Sequence, residues 1–384
     1  TGQLFAGTAN NTTASYVNPE ALDLPRIGGT AAVTGADATW APRASTLAGV
    51  GARQEVFDFG RLAAEAAAAD AETAVAAHAA DAVLLDVELG VDEAYFAVNA
   101  ARSILRAAED AYARALVHRD FAQAGVKSGL HSPIELTRAE ADLTRFDTGR
   151  IRARGGLRAA QVVLAAAVGA SEPALDAADV PVTAPDLPAI GAALARAQDK
   201  DPRLATAVAR LEAQERQTRA VSALLRPDLH LTATFSGRAG GAGTDVPAGN
   251  GFLPEVPNWD AGLILSWPLL DPTVRARARA SQAVEEERRD EIDLARQAVV
   301  AAVQQAYLAV EVAREALPSL QRELDAARAN DAQADARFKA GLGTSVELAD
   351  AEALRTDAEI RLALGEFDLA KARAAFGRAI AEGL

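Results

Sequence analysis

At 384 residues, with a net charge of −14 and no cysteine, the chain has no disulfide framework and no thiol chemistry. It carries no basic stripe that would suit nucleic acid or an anionic lipid surface. Half the residues are apolar but only 5% are aromatic, and alanine carries most of the apolar load, so the composition predicts long, closely packed helices rather than a bulky core.

The chain opens on Thr1-Gly2-Gln3-Leu4, with neither a basic nor an apolar leader segment, and reads as a mature or trimmed piece whose targeting signal lies outside it. No stretch approaches the ~18 uninterrupted apolar residues of a spanning helix. Leu47 to Phe57 reads as a strand, with residues 3–10 as its weaker partner. Residues 61–124 read as one very long helix. A glycine-containing tip follows, Gly125 to Ser132, and then a second helix over 133–168 that starts on Ser132-Pro133, a cap residue with proline just inside. Gly169 to Pro188 holds four prolines and reads as a linker. One further helix is expected over 190–225, stopping before Pro227.

The period then changes to two. Leu229, Leu231, Ala233 and Phe235 alternate with polar residues, as do Trp259, Ala261, Leu263, Leu265 and Trp267 beyond a glycine-rich loop. These are two strands of a hairpin with one apolar face. Eight residues at ~3.3 Å each put the two tryptophans about 26 Å apart, close to the height of a barrel's apolar band and its aromatic girdles.

A second long helix covers 273–340. Val299, Val303, Ala306, Val310, Ala313, Leu317, Leu320, Leu324 and Ala327 recur at alternating spacings of four and three, the seam of a coiled coil. Pro318 should bend it. A tip at Gly341 to Ser345 leads into a last helix over 345–381. The second half repeats the first at a constant offset of 212, from Tyr95 and Tyr307 to Val168 and Ile380. The tips read Gly129-Leu130-His131-Ser132-Pro133-Ile134-Glu135-Leu136 and Gly341-Leu342-Gly343-Thr344-Ser345-Val346-Glu347-Leu348, each with capping-box spacing.

Four lipid-suited strands cannot stand in a bilayer as an open sheet, because each edge would leave backbone groups unsatisfied. Three copies would close twelve strands. The expected fold is therefore mainly α: long antiparallel coiled-coil hairpins in two repeats, plus four β-strands per chain contributing to a trimeric 12-stranded transmembrane β-barrel. Its parts are residues 1–60, a first pair of barrel strands; 61–168, the first α-hairpin; 169–226, the linker and an equatorial helix; 227–272, the second pair of strands; and 273–384, the second α-hairpin.

The duplicated order, the turns Phe57-Asp58-Phe59-Gly60-Arg61 and Leu269-Leu270-Asp271, and the two tip patterns closely resemble the TolC-like outer membrane efflux protein family over nearly the whole chain. The resemblance implies a homotrimeric channel-tunnel in the outer membrane of a Gram-negative bacterium, with its α-barrel crossing the periplasm. It would serve a tripartite efflux or type I secretion system and open at its tip through a periplasmic adaptor and an inner-membrane pump. It implies Glu347 and Asp350 as the acidic constriction of the periplasmic gate. It implies Gly129, Leu130, Ser132, Gly341, Leu342 and Thr344 as adaptor contacts; the strand spacing, not the resemblance, marks Trp259 and Trp267 as the membrane girdle. A basic residue that the family uses in its latch is replaced by Gly343, and a tyrosine of the same network by Phe338.

Plainer readings stand beside these. Glu347 and Asp350 would also favour the positive end of the helix that starts near Ser345, at under ~1 kcal/mol each. The tryptophans would also suit a soluble sandwich. A soluble coiled-coil scaffold binding partner helices is the rival function. Histidines 78, 118, 131 and 230 are scattered without ligand spacing, and no nucleophile–base set is visible, so neither a metal, a cofactor nor an enzyme is expected.

Overall fold

The computed structural model describes residues 2–9, 45–129, 131–179, 186–240, 256–269 and 271–382. In chain order these form β1 (Gly2–Ala9), β2 (Ser45–Phe57), α1 (Arg61–Lys127), α2 (Pro133–Val168), α3 (Ile190–Lys200), α4 (Pro202–Ala223), β3 (Asp228–Gly240), β4 (Val256–Trp267), α5 (Pro272–Lys339) and α6 (Ser345–Ala379). Two compact units divide them. The first holds Thr1–Ala74 and Ala209–Asp290, the second Val75–Val208 and Glu291–Leu384.

In the first unit the strands form one antiparallel sheet in the order β1-β4-β3-β2. β3 and β4 make the hairpin that alternation predicts, with Leu231 opposite Leu263 and Phe235 opposite Trp259. The expected pairing of residues 3–10 with 47–57 does not occur. β1 pairs with β4 and β2 with β3, so the hairpin sits between them. The repeat offset identifies which residues are strands. It does not identify their neighbours, because a long connection such as residues 10–44 can reach either edge.

Each long helix begins on an aspartate. The Asp58 carboxylate accepts from the Gly60 and Leu62 N–H groups, and that of Asp271 from Thr273 and Val274. Both satisfy otherwise orphaned donors of the first turn. Arg226 Nη1 donates to the Phe59 carbonyl at 2.8 Å and Trp267 Nε1 to that of Leu225 at 3.2 Å, tying the sheet ends to the neighbouring turns.

The second unit is packed along the seams. Val299, Val303 and Val310 of α5 are buried with Leu369, Ala372 and Phe376 of α6, Ala193 and Ala197 of α3, and Leu204 of α4. Ala94 and Val98 of α1 are buried against Leu164 of α2 and Ala177, and Ala111 and Ala115 against Phe146. The linker beyond Gly169 is docked rather than loose: Tyr95 Oη donates to the Ala178 carbonyl at 2.8 Å, and Arg102 to Asp176 and to the Ala177 carbonyl.

The single helix expected over 190–225 is two helices, α3 and α4, divided at Asp201. Asp201 is extended, with ψ of 118°, because the ring of Pro202 disfavours helical backbone in the residue before it. Its buried carboxylate accepts from Arg203 N–H at 2.8 Å and pairs with the Arg203 guanidinium at 2.7 Å, so it caps α4. Pro318 lies inside α5, which continues through it; the Arg314 carbonyl there loses its usual helical donor. Among the described residues, no helix is long and apolar enough to cross a membrane.

Candidate functional site

The hairpin tips lie in the second unit and share one backbone design. Gly129 and Gly341 have φ of 78° and 72°, left-handed values that a side chain would strain. Gly129 N–H donates to the Val126 carbonyl at 3.1 Å, and Gly341 N–H to that of Phe338 at 3.0 Å. His131 N–H reaches the Gly125 carbonyl at 3.1 Å, and Gly343 N–H that of Arg337 at 3.1 Å. At the repeat offset these are the same two bonds.

The side chains exchange volume between the copies. A Cβ on Gly125 would lie 1.8 Å from the His131 ring. In the second tip the large residue is Arg337 and the small one Gly343, where a Cβ would press on Arg337 Cβ at 3.2 Å. The missing side chain at Gly343 thus has a packing reason: its backbone turns against the Arg337 backbone.

The helix starts differ as well. Thr344 forms a full capping box: Glu347 N–H donates to Thr344 Oγ1 at 3.2 Å, and Thr344 N–H to Glu347 Oε2 at 3.3 Å. The first copy has the spacing but not the box. Ser132 makes no side-chain cap bond, and Glu135 N–H bonds the Ser132 carbonyl at 2.9 Å instead. Glu135 turns to Arg138 at 3.8 Å, and its Oε2 is buried without a hydrogen bond.

The residues singled out by sequence fall as follows. Gly129 and Ser132 are exposed at the first tip; Gly341, Leu342 and Thr344 are exposed at the second, with Leu342 72% exposed. Glu347 and Asp350 are exposed in the first turns of α6, Glu347 held by the capping box. Leu130 lies outside the described residues. Trp267 ends β4 and is 44% exposed; Trp259 lies in β4 opposite Phe235, its side chain outside what is described. The two tryptophans belong to the sheet of the first unit, away in sequence from both tips.

Sequence reasoning missed a buried cluster behind the tips. Phe338 is 6% exposed and stacks with His118 and His131, their ring planes 2° and 9° from its own. Phe121 closes the group, 5.6 Å from Phe338 and 5.8 Å from His131. Below it, Glu352 is 3% exposed, with its Oε1 3.4 Å from His118 Nε2 and no hydrogen bond of its own. Burial pushes the Glu352 carboxyl up to about 7, with Asp331 adding to the effect and Arg114 opposing it. Burial lowers His118, against the pull of Asp335. Among the described residues, no three such groups are arranged to hold a metal ion. The one available signal was the position of His118 in α1 a turn before Phe121, which needs the fold to bring it to Glu352.

The sequence profile of the family described as outer membrane efflux protein matches residues 9–170 and 193–382. No curated protein sequence matches the chain significantly. Among solved structures, the fold is similar to the CmeC outer membrane channel of Campylobacter jejuni (TM-score 0.72, 13% identity, 89% of this chain and 78% of that one). It is similar to VceC, an outer membrane protein of Vibrio cholerae (TM-score 0.67, 16% identity, 88% and 87%). It is also similar to the open state of the MtrE outer membrane channel of Neisseria gonorrhoeae (TM-score 0.68, 20% identity, 89% and 81%). With a profile match over both repeats and the duplicated strand–helix–tip order beneath it, the chain belongs to the outer membrane efflux protein family.

Proposed function

We propose that three copies of this chain form a passive exit duct, with its barrel in the outer membrane of a Gram-negative bacterium and its helices in the periplasm. The observation that carries this reading is the sheet. Val50, Leu231, Phe235, Leu263, Leu265 and Trp267 are exposed at 37% or more, and the register gathers them on one face. His230, Thr232 and Ile264 of the other face are buried. β1 and β2 end the sheet with no further strand among the described residues. An apolar face suits lipid, but two free edges in hydrocarbon would cost several kcal/mol for each unsatisfied group. Edge-to-edge joining of identical chains removes both, and three chains of four strands give an even-numbered barrel within the usual range. A soluble scaffold would have no use for such a face.

In this reading the chain catalyses nothing; partners supply the energy. The exposed turns at Gly129, Leu130, Ser132, Gly341, Leu342 and Thr344 would meet a periplasmic adaptor, which links the duct to an inner-membrane pump. Glu347 and Asp350 would form an acidic ring at the mouth, and Trp259 and Trp267 would sit at the two membrane interfaces. Opening would be a shift between closed and open tip arrangements, biased by adaptor contacts.

Native mass measurement in detergent and single-channel recording in planar bilayers test this together. A trimer with cation-preferring conductance is expected, and Glu347→Ala with Asp350→Ala should raise conductance and weaken cation preference. A monomer that needs no detergent would overturn the duct; unchanged conductance in the double variant would overturn the gate.

A further inference from the structure

Glu352 is a buried carboxylate whose Oε1 makes no hydrogen bond and lies 3.4 Å from His118 Nε2. Its position in the repeat is shared by Glu140, which is exposed. The difference comes from packing: α6 turns Glu352 into the junction with α1, α2 and α5. There a cavity of about 20 Å³, room for about one water, is lined by His118, Glu135, Asp142, Phe338, Ser345 and Glu352 among others. Of its lining, Glu135 Oε2, Ser345 Oγ and Glu352 Oε1 are buried without a hydrogen bond, as is Asp335 Oδ1, 3.7 Å from His118 Nε2.

The charges facing Glu352 are mostly of its own sign. From α1 come His118 and Arg114; from α2, Asp142 and Glu135; from α5, Asp331 and Asp335, with Lys339 held by Asp335 at 2.8 Å. On α6 itself Arg355 is engaged with Asp331 at 2.9 Å and Glu359 at 3.2 Å. Arg114 Nη2 is directed to Thr356 Oγ1 at 3.2 Å. Neither arginine makes a salt bridge to Glu352 among the described residues, so a charge on Glu352 is poorly compensated.

We propose that Glu352, held against His118 inside the junction of the two hairpins, is a proton-controlled fastening between their tips. Protonated, its O–H donates to Nε2 of neutral His118, and the junction closes under the Phe121–His131–Phe338 stack. Ionised, with its proton given up to water, it leaves a bare carboxylate among Asp142, Asp331 and Asp335, and the second tip withdraws from the first hairpin to let water in. Acidity therefore fastens the tips and alkalinity loosens them. The fastening within one chain stands by itself; its effect on permeation rests on the exit-duct reading.

The absence of cysteine makes the test direct. Spin labels on Lys127→Cys and Ala340→Cys, both exposed tip positions, report the distance between tips by double electron–electron resonance. The full-length protein is used in detergent, with labelled chains diluted in unlabelled ones so that distances within a chain dominate. For a group titrating near pH 7, the ionised fraction rises about thirtyfold between pH 5.5 and 8.5. The distribution should pass from a short, narrow distance to a longer, broader one with a midpoint near neutrality, and Glu352→Gln should stay short throughout. A wild-type distribution that does not change over this range overturns the proposal without any variant. So does a Glu352→Gln chain that shifts as the wild type does. If the distance responds but no channel activity exists at any pH, the duct reading fails and the fastening stands.

Discussion

A charge at Leu263 separates a lipid-facing sheet from a water-facing one. Leu263 is 42% exposed, opposite Leu231 on one side and Ala6 on the other. It lies four residues from each of Trp259 and Trp267, about 13 Å along the strand from either at ~3.3 Å per residue. That is the middle of the apolar band if the tryptophans mark its limits. Leu263→Arg should then cost about 2–4 kcal/mol per chain, the penalty for a cationic residue at a barrel's midplane. On an exposed sheet in water the same change would stay within about 0.5 kcal/mol. The assay is urea unfolding of protein reconstituted in vesicles, read by tryptophan fluorescence and by retention of the oligomer on gels. Ala76→Arg, an exposed position of α1, is the matched control and should be nearly neutral. Equal effects of the two substitutions would refute the lipid-facing assignment of this sheet.

Three further outcomes follow from the tips. Thr344→Ala should cost about 1 kcal/mol through loss of the capping box, whereas Ser132→Ala should cost little, since Ser132 makes no side-chain cap bond; chemical denaturation of each variant measures the contrast. Gly125→Ala should destabilise by placing a methyl group against the His131 ring, and Gly125→Ala with His131→Gly should recover much of the loss, a coupling that a double-mutant cycle reads directly. Glu352 has an ordinary carboxyl pKa of 4.5 raised to about 7 in the fold, so its stabilising form is the protonated one. The contribution is complete below about pH 4.5 and lost as pH rises toward 7, roughly 3 kcal/mol in all; urea unfolding at fixed ionic strength should flatten over this range in Glu352→Gln. His118, lowered by burial, acts in the opposite sense and costs stability as pH falls below 6.5.

The parts of the fold legible in the sequence are those fixed by local chemistry. Ser132-Pro133 and the left-handed Gly169 bound α2 at the residues expected, and Asp58 and Asp271 begin the long helices because a carboxylate there meets free N–H groups. The seam residues Val98, Val299, Val303 and Val310 are buried because heptad spacing leaves one face to bury. The sheet order was not legible, since alternation gives a face but no neighbour. The break at Asp201 is legible in Pro202, whose ring restricts the residue before it.

The tip residues show why the site was only half readable. At the repeat offset, Glu140 and Glu352 are the same letter, yet one is exposed and the other buried. Glu135 and Glu347 are also the same letter, yet only Glu347 closes a capping box. Duplication conserves what the backbone needs: the two left-handed glycines and the two carbonyl bonds beneath them. Around that backbone even identical side chains differ in their packing partners. His131 leans on Phe338, so the first tip is fastened to the second hairpin through an aromatic stack. Gly343, the counterpart of His131, offers no such ring, and the second tip projects Leu342, Val346 and the Thr344–Glu347 box. The Phe338–His131 contact restrains both tips alike, so drawing either away from the other must break it.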